Sequence, residues 1–240
     1  MAMEAEEIQR FEEHVQQVRN QLDEAAQGRS YTLLAATKTQ SADVINMLPF
    51  CRIFDYGENR VQEWLEKHEK INQSLRYHHI GRLQSNKIKY IINHVVLIHS
   101  VDKQELADEI DKQAAKHGRC VDILLQVNPA REPQKGGVAP EELMELYEGC
   151  CRLEHVRVTG LMCMAPNTPD TGVVRRTFAE ARRCFDRLVA QDANISTLSM
   201  GMSQDAQIAL EEGSTLVRLG TSLFGRRAGY DYKGLEGSKE

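Results

Sequence analysis

YTLLAATKTQ, residues 31–40, begins apolar and ends polar, with a lysine at the change. Leu33 to Ala36 are apolar without alternation, which predicts a strand covered on both faces, as in a parallel sheet. Lys38 then stands at the mouth of a buried strand, on a rigid element and close to low-dielectric surroundings. Desolvation favours the neutral amine, and a neutral amine attacks carbonyls. Taken alone, the stretch is better explained by a strand-end lysine that snorkels to water. The rest of the chain reverses that preference.

Upstream, Ile8, Phe11, Val15, Val18 and Leu22 recur every three or four residues, an amphipathic helix that Gly28 stops. Downstream, Ser41 caps a short helix ended by Pro49, and the strand-then-helix pattern repeats. Further strands are predicted at Arg52–Tyr56, Tyr77–Ile80, Val95–His99, Val121–Val127, Val156–Met162, Ile195–Met200 and Thr215–Leu219. Asp102 and Glu105 have capping-box spacing, Pro140 begins a helix, and Ser203 opens another. About eight such units in roughly 200 residues match a (β/α)8 TIM barrel with one additional N-terminal helix. A doubly wound sheet usually has fewer strands and a Gly-rich first turn, and TKTQS has no glycine. The expectation is a single barrel domain over residues 1–240, with residues 1–28 as a helix packed on it and 228–240 as a flexible polar tail.

Composition narrows the function. With 41% hydrophobic residues the chain fills a sizeable core, and a net charge of -5 with both signs interspersed argues against nucleic acid or an anionic membrane as partner. No apolar run is long enough to span a bilayer, and the acidic MAMEAEEIQR start lacks the core of a signal peptide. The six cysteines have no CxxC or other ligand spacing, and His78 and His79 alternate across a strand, so no metal site is expected. The thiols read as reduced, in a cytoplasmic protein.

All strand C-termini of such a barrel share one face, where ligands bind. The strand ends bring there Lys38, Glu58 and Asn59, His79 and Gly81, Ser100, Asn128, the Met162–Pro166 segment, Met200–Ser203, and Arg218 with Gly220 and Thr221. The loops after strands seven and eight commonly hold phosphate, and here they read SMGMS and RLGTS. Gly201 allows close backbone approach, Ser203 offers a hydroxyl, and Gly220 and Thr221 offer backbone N–H groups. Arg218, inside the apolar TLVRLG, needs a partner: a barrel carboxylate such as Glu58, or a ligand's ring nitrogen or anionic group. A lysine nucleophile opposite a phosphate cup, with a basic residue between, describes a Schiff-base site for a phosphorylated aldehyde, of which pyridoxal 5'-phosphate is the common cofactor.

The segments ATKT, GENRVQE, HHIGRLQSNK, LLQVN with Glu132, Lys135 and Gly137, GLMCMAP, LSMGMSQD and VRLGTSLFG together resemble the pyridoxal-phosphate homeostasis proteins, single-domain relatives of the alanine racemase N-terminal barrel. The resemblance runs from Thr32 to Arg226. It implies that Lys38 forms the internal aldimine with pyridoxal 5'-phosphate. It also implies that Ser203, Gly220 and Thr221 hold the phosphate, that Arg218 faces the pyridine nitrogen, and that Asn59, His79 and Met200 line the ring. The implied role is cofactor buffering or delivery, with apo pyridoxal-phosphate enzymes as recipients, and without strong catalysis. Tyr56, Arg82, Pro133 and Gly136 depart from the family's usual residues but leave the lysine and the cup intact.

Two other functions compete. An amino-acid racemase needs acid and base groups on both faces of the cofactor. Tyr56 is the tyrosine within sequence reach, and the chain is expected to end before a second domain that could supply another. A cofactor-free Schiff-base aldolase needs a carboxylate beside Lys38.

Overall fold

The computed structural model describes residues 5–225, so the expected flexible tail at 228–240 lies outside the described residues. The predicted alternation appears as α1 (Ala5–Ala26), β1 (Thr32–Ala36), α2 (Ala42–Ile45), β2 (Asp55–Glu58), α3 (Val61–Lys67), β3 (Arg76–His79), α4 (Ile88–Ile91), β4 (Val95–Val101) and α5 (Gln104–Lys116). It continues through β5 (Val121–Val127), α6 (Leu143–Cys150), β6 (Val156–Cys163), α7 (Thr171–Val189), β7 (Thr197–Met202), α8 (Ala206–Glu211), β8 (Leu216–Leu219) and α9 (Thr221–Phe224). The strands pair in sequence order and β8 closes on β1, every pair parallel, giving the (β/α)8 barrel.

Each helix buries one stripe. In α1 the stripe is Phe11, Val15, Leu22 and the Ala25–Ala26 pair, packed over α8. Gln27 and Gly28 turn the chain with positive φ, and Arg29 then donates to the Leu210 carbonyl at 2.7 Å, tying the helix exit to α8. Most of the apolar core lies between strands and helices; Leu97, Leu124 and Met162 form a separate small cluster packed against Met164.

The strand interiors are less uniformly apolar than their sequences imply. His99 on β4 lies 3.0 Å from the Ser199 hydroxyl on β7, two strands that are not neighbours, so the contact crosses the barrel lumen. Around it a polar chain runs from the exposed Arg76 through the buried Asp55, His78, His99 and Ser199 to Arg218. Alternation sends His79 the other way, to the helix side, where Tyr77 Oη lies 3.1 Å from its Nδ1 and the Tyr77 ring stacks on Trp64 of α3.

Local signals were less dependable at helix starts. Asp102 does not cap α5; its carboxylate accepts from Gly137 N at 3.2 Å instead, and Lys103 is the cap residue. Ser203 precedes α8 without capping it, and Asp205 holds that position. In both cases a tertiary partner takes the side chain that a local cap would have used. Among the described residues no helix is long and apolar enough to cross a membrane, and the cysteines are unpaired.

Candidate functional site

A cavity of about 600 Å3 opens at the carboxyl ends of the strands, within the range that holds small cofactors. Lys38, Asn59, Ser203, Arg218, Gly220 and Thr221 line it, bringing together residues from both ends of the sequence. The lysine stands two residues past the end of β1 and is exposed. It has no hydrogen-bond or ion-pair partner among the described residues, so its amine is available to a ligand.

At the end of β8, the strand that pairs with β1, two backbone donors converge on one oxygen. The Ser203 hydroxyl accepts from Gly220 N at 3.2 Å and from Ser222 N at 3.1 Å, and the Ser222 hydroxyl donates to it at 3.0 Å. This is a cradle of oriented N–H groups of the kind that receives phosphate oxygens. A Cβ on Gly220 would lie 3.3 Å from the Ala36 carbonyl, so a bare backbone at this position keeps the cradle close to β1. The α1 helix supports it from outside, because a His14 ring nitrogen lies 2.7 Å from the Ser222 carbonyl oxygen. Gly201 serves a different purpose from the one its motif suggested. Its φ is 95° and a Cβ would meet Ala209 at 2.6 Å, so this glycine permits close packing of β7 on α8.

Arg218 is buried and has no carboxylate in ion-pair contact among the described residues. Its guanidinium donates to the Ser199 carbonyl and hydroxyl at 2.9 and 2.5 Å and to the Cys163 carbonyl at 3.1 Å. Burial pulls its pKa down to about 10, which leaves it a cation at neutral pH. The alternative partner, Glu58, points to the helix layer and binds Lys67 at 2.7 Å. The donor-only arginine and the acceptor-only Asp55 carboxylate set one self-consistent direction for the lumen chain. Arg218 gives to Ser199, Ser199 to His99 Nδ1, His99 Nε2 to His78 Nδ1, and His78 Nε2 to Asp55 at 2.9 Å. Burial raises the Asp55 pKa, but hydrogen bonds from His78 and Arg76 outweigh it and hold the group below the usual carboxylate range. The chain thus holds the guanidinium in one orientation at the cavity floor.

Two predicted ring-lining residues are not brought to the cavity. His79 lies on the helix side of β3, and Met200, adjacent to the inward Ser199, packs in the helix–strand core. Strand alternation is the reason, since a strand-end position in sequence does not say which face its side chain takes. Conversely, Lys135, Asp205 and Ile80 line the cavity, beside Met164 of the expected Met162–Pro166 segment. Lys135 lies on the loop that follows β5. That loop is tied down: Gln126 donates to the Lys135 carbonyl at 2.7 Å, and Asn128 donates to the Glu132 carbonyl at 2.9 Å. Burial raises the Asp205 pKa even though the carboxylate accepts from Met202 N at 2.5 Å. Its position two residues after Ser203 was the available signal. A second, more open groove of about 740 Å3 shares Asn59 and Gly81 with this face but contains no Lys38.

Gly81 sets the Asn59 wall. A Cβ there would fall 2.2 Å from the Asn59 carbonyl oxygen, against backbone that cannot yield. Gly81→Ala is expected to destabilise by about 1–3 kcal/mol and to displace Asn59. Thermal unfolding checks this, and an unchanged midpoint would contradict the close approach.

The family described as alanine racemase, N-terminal domain, matches residues 7–228. A protein of Aquifex aeolicus named pyridoxal phosphate homeostasis protein is 43% identical over 222 residues, covering 91% of this chain and 97% of its own. Among solved structures, a Bifidobacterium adolescentis protein described as unknown superposes with TM-score 0.87 at 31% identity, over 92% of this chain and 97% of that one. PipY of Synechococcus elongatus, solved with PLP bound, superposes with TM-score 0.80 at 34% identity, over 90% of this chain and 100% of PipY.

Proposed function

The chain belongs to the alanine racemase N-terminal domain family and, within it, to the pyridoxal phosphate homeostasis proteins, and from that premise we propose that its cavity holds pyridoxal 5'-phosphate on Lys38 and serves cofactor buffering or delivery. The observation that carries the reading is one arrangement: an unpartnered Lys38 amine, Ser203 with Gly220 and Thr221, and the buried Arg218 cation line one cavity of about 600 Å3. Bound there, pyridoxal 5'-phosphate would supply an aldehyde, and Lys38 would be the amine that holds it.

This chain's residues divide the remaining work. Ser203, Gly220 and Thr221 receive the phosphate, and Asn59, Ile80 and Met164 form the walls. Arg218 stabilises an unprotonated acceptor at the cavity floor and does not deliver a proton to it, because a guanidinium keeps its protons. Sustained amino-acid turnover would need a second acid/base group across the cavity. Tyr56 does not serve: its hydroxyl accepts from Trp64 Nε1 at 3.0 Å in the helix layer, and burial pushes its pKa up to about 12. Lys135 and Asp205 also line the cavity, so the carrier role, with apo pyridoxal-phosphate enzymes as recipients, is supported by the name of the relatives and not by a missing acid/base group. A cofactor-free aldolase is disfavoured because no carboxylate contacts Lys38 among the described residues.

The test is the absorption spectrum of the purified protein before and after borohydride, with peptide mapping. A yellow protein labelled at Lys38 is expected. A protein that stays colourless with added pyridoxal 5'-phosphate would overturn the reading. Ser203→Ala is expected to weaken cofactor binding by about 1–3 kcal/mol through loss of a hydroxyl donor to the phosphate. Equal affinity for pyridoxal with and without its phosphate would contradict the cradle.

A further inference from the structure

Lys38 sits between two peptide groups that are gripped from below. Lys67, the last residue of α3, extends its ammonium to the Thr37 carbonyl at 3.1 Å and the Gln40 carbonyl at 3.0 Å. The same nitrogen lies 2.7 Å from Glu58 and 3.2 Å from Glu63. Glu63 in turn accepts from Thr39 N, and Glu58 from the Thr37 hydroxyl. Four acceptors thus share the three protons of one ammonium. Every residue flanking Lys38 is tied to this centre, while Lys38 itself is not.

The geometry points to Lys67, acting with Glu58 and Glu63, as the positioning residue for Lys38: it holds the backbone so that the lysine enters the cavity. Three further observations agree. Thr39 has φ 67°, a left-handed conformation that β-branched residues rarely adopt, and its N–H is the one that Glu63 binds. Lys67 is only 11% exposed and Glu58 is fully buried, so solvent does not substitute for the pair. Lys67 lies 30 residues from Thr37 in sequence, so no local turn rule requires the contact. The device suits a nucleophile carried just beyond a strand end, since a loop left free would spread the amine over many positions.

This inference rests on attachment at Lys38 and is tested so that the two can fail separately. Wild type, Lys67→Met, Lys67→Arg and Glu63→Gln are compared by two readouts. The first is the rate of borohydride-trappable attachment of pyridoxal 5'-phosphate, with the label mapped. The second is calorimetric affinity for pyridoxine 5'-phosphate, which has the phosphate and ring but no aldehyde. Lys67→Met is expected to attach about tenfold more slowly or worse with unchanged affinity for the alcohol, and Lys67→Arg to recover part of the rate. Glu63→Gln, which keeps the buried Lys67–Glu58 pair, is expected to slow attachment about threefold and carries the test if Lys67→Met does not fold. Wild-type attachment rates in the folded variants would overturn the positioning role alone. Equal loss of both readouts would also overturn it, by showing a merely structural effect. A wild-type label outside Lys38 would overturn the site reading and the inference together.

Discussion

Lys38→Ala should lose the borohydride-trappable adduct completely while retaining affinity for pyridoxine 5'-phosphate. The two functions are separable because they belong to different strand ends of the barrel mouth. The amine comes from the β1 end, and the phosphate cradle from the β7 and β8 ends. A second lysine lines the same cavity, so the outcome is not trivial. Lys135, however, is held by Glu132 at 2.7 Å and by the Ala165 carbonyl, so its amine is already engaged. Lys38 has no such partners among the described residues. Retention of the adduct in Lys38→Ala, with the label on Lys135, would sink the assignment of a single nucleophile.

Mild acid should destabilise the protein well before ordinary carboxylates protonate. Burial pulls the His79 imidazole down from 6.5 to about 4. His99, enclosed in the lumen and beside His78 and Arg218, is also held well below its ordinary value, chiefly by burial. In the unfolded chain both groups bind protons near pH 6.5, which the folded chain refuses. Their contribution is therefore complete above that pH and is lost as pH falls towards the folded values. For His79 the loss is about 3 kcal/mol by pH 4, and His99 adds to it in the same direction. Glu58, raised above the carboxylate range by burial against the pull of Lys67, works in the opposite sense. Urea unfolding of wild type and His79→Gln at pH 7 and pH 5 separates the terms, with the variant expected to lose less stability on acidification. Identical pH dependence in both proteins would remove His79 from the account.

The legible part of this protein was its repetition. Continuous apolar runs, glycine stops and amphipathic stripes such as that of Phe11, Val15 and Leu22 are local, and their order already implied the barrel. Strand ends then placed Lys38, Asn59, Ser203, Arg218, Gly220 and Thr221 on one face, and these are the ones that line the cavity. The same reasoning failed for His79 and Met200, because position along a strand is one coordinate and facing is another. Reading the facing from Tyr77, whose ring belongs against Trp64, would have sent His79 outward with it.

By itself, then, the sequence determined the barrel, its added helix, and the chemistry gathered at its mouth, since propensity, period and strand ends depend on neighbours a few residues apart. Only the tertiary structure decided how those groups are held. The Ser203 hydroxyl meets Ser222 N from 19 residues away, Lys67 grips Thr37 across 30, and His99 reaches Ser199 across 100. Such contacts exist only once the strands have closed in register. A buried polar group then takes whichever partner the closed barrel puts within hydrogen-bond reach, because leaving it unpaired would cost more than any local preference.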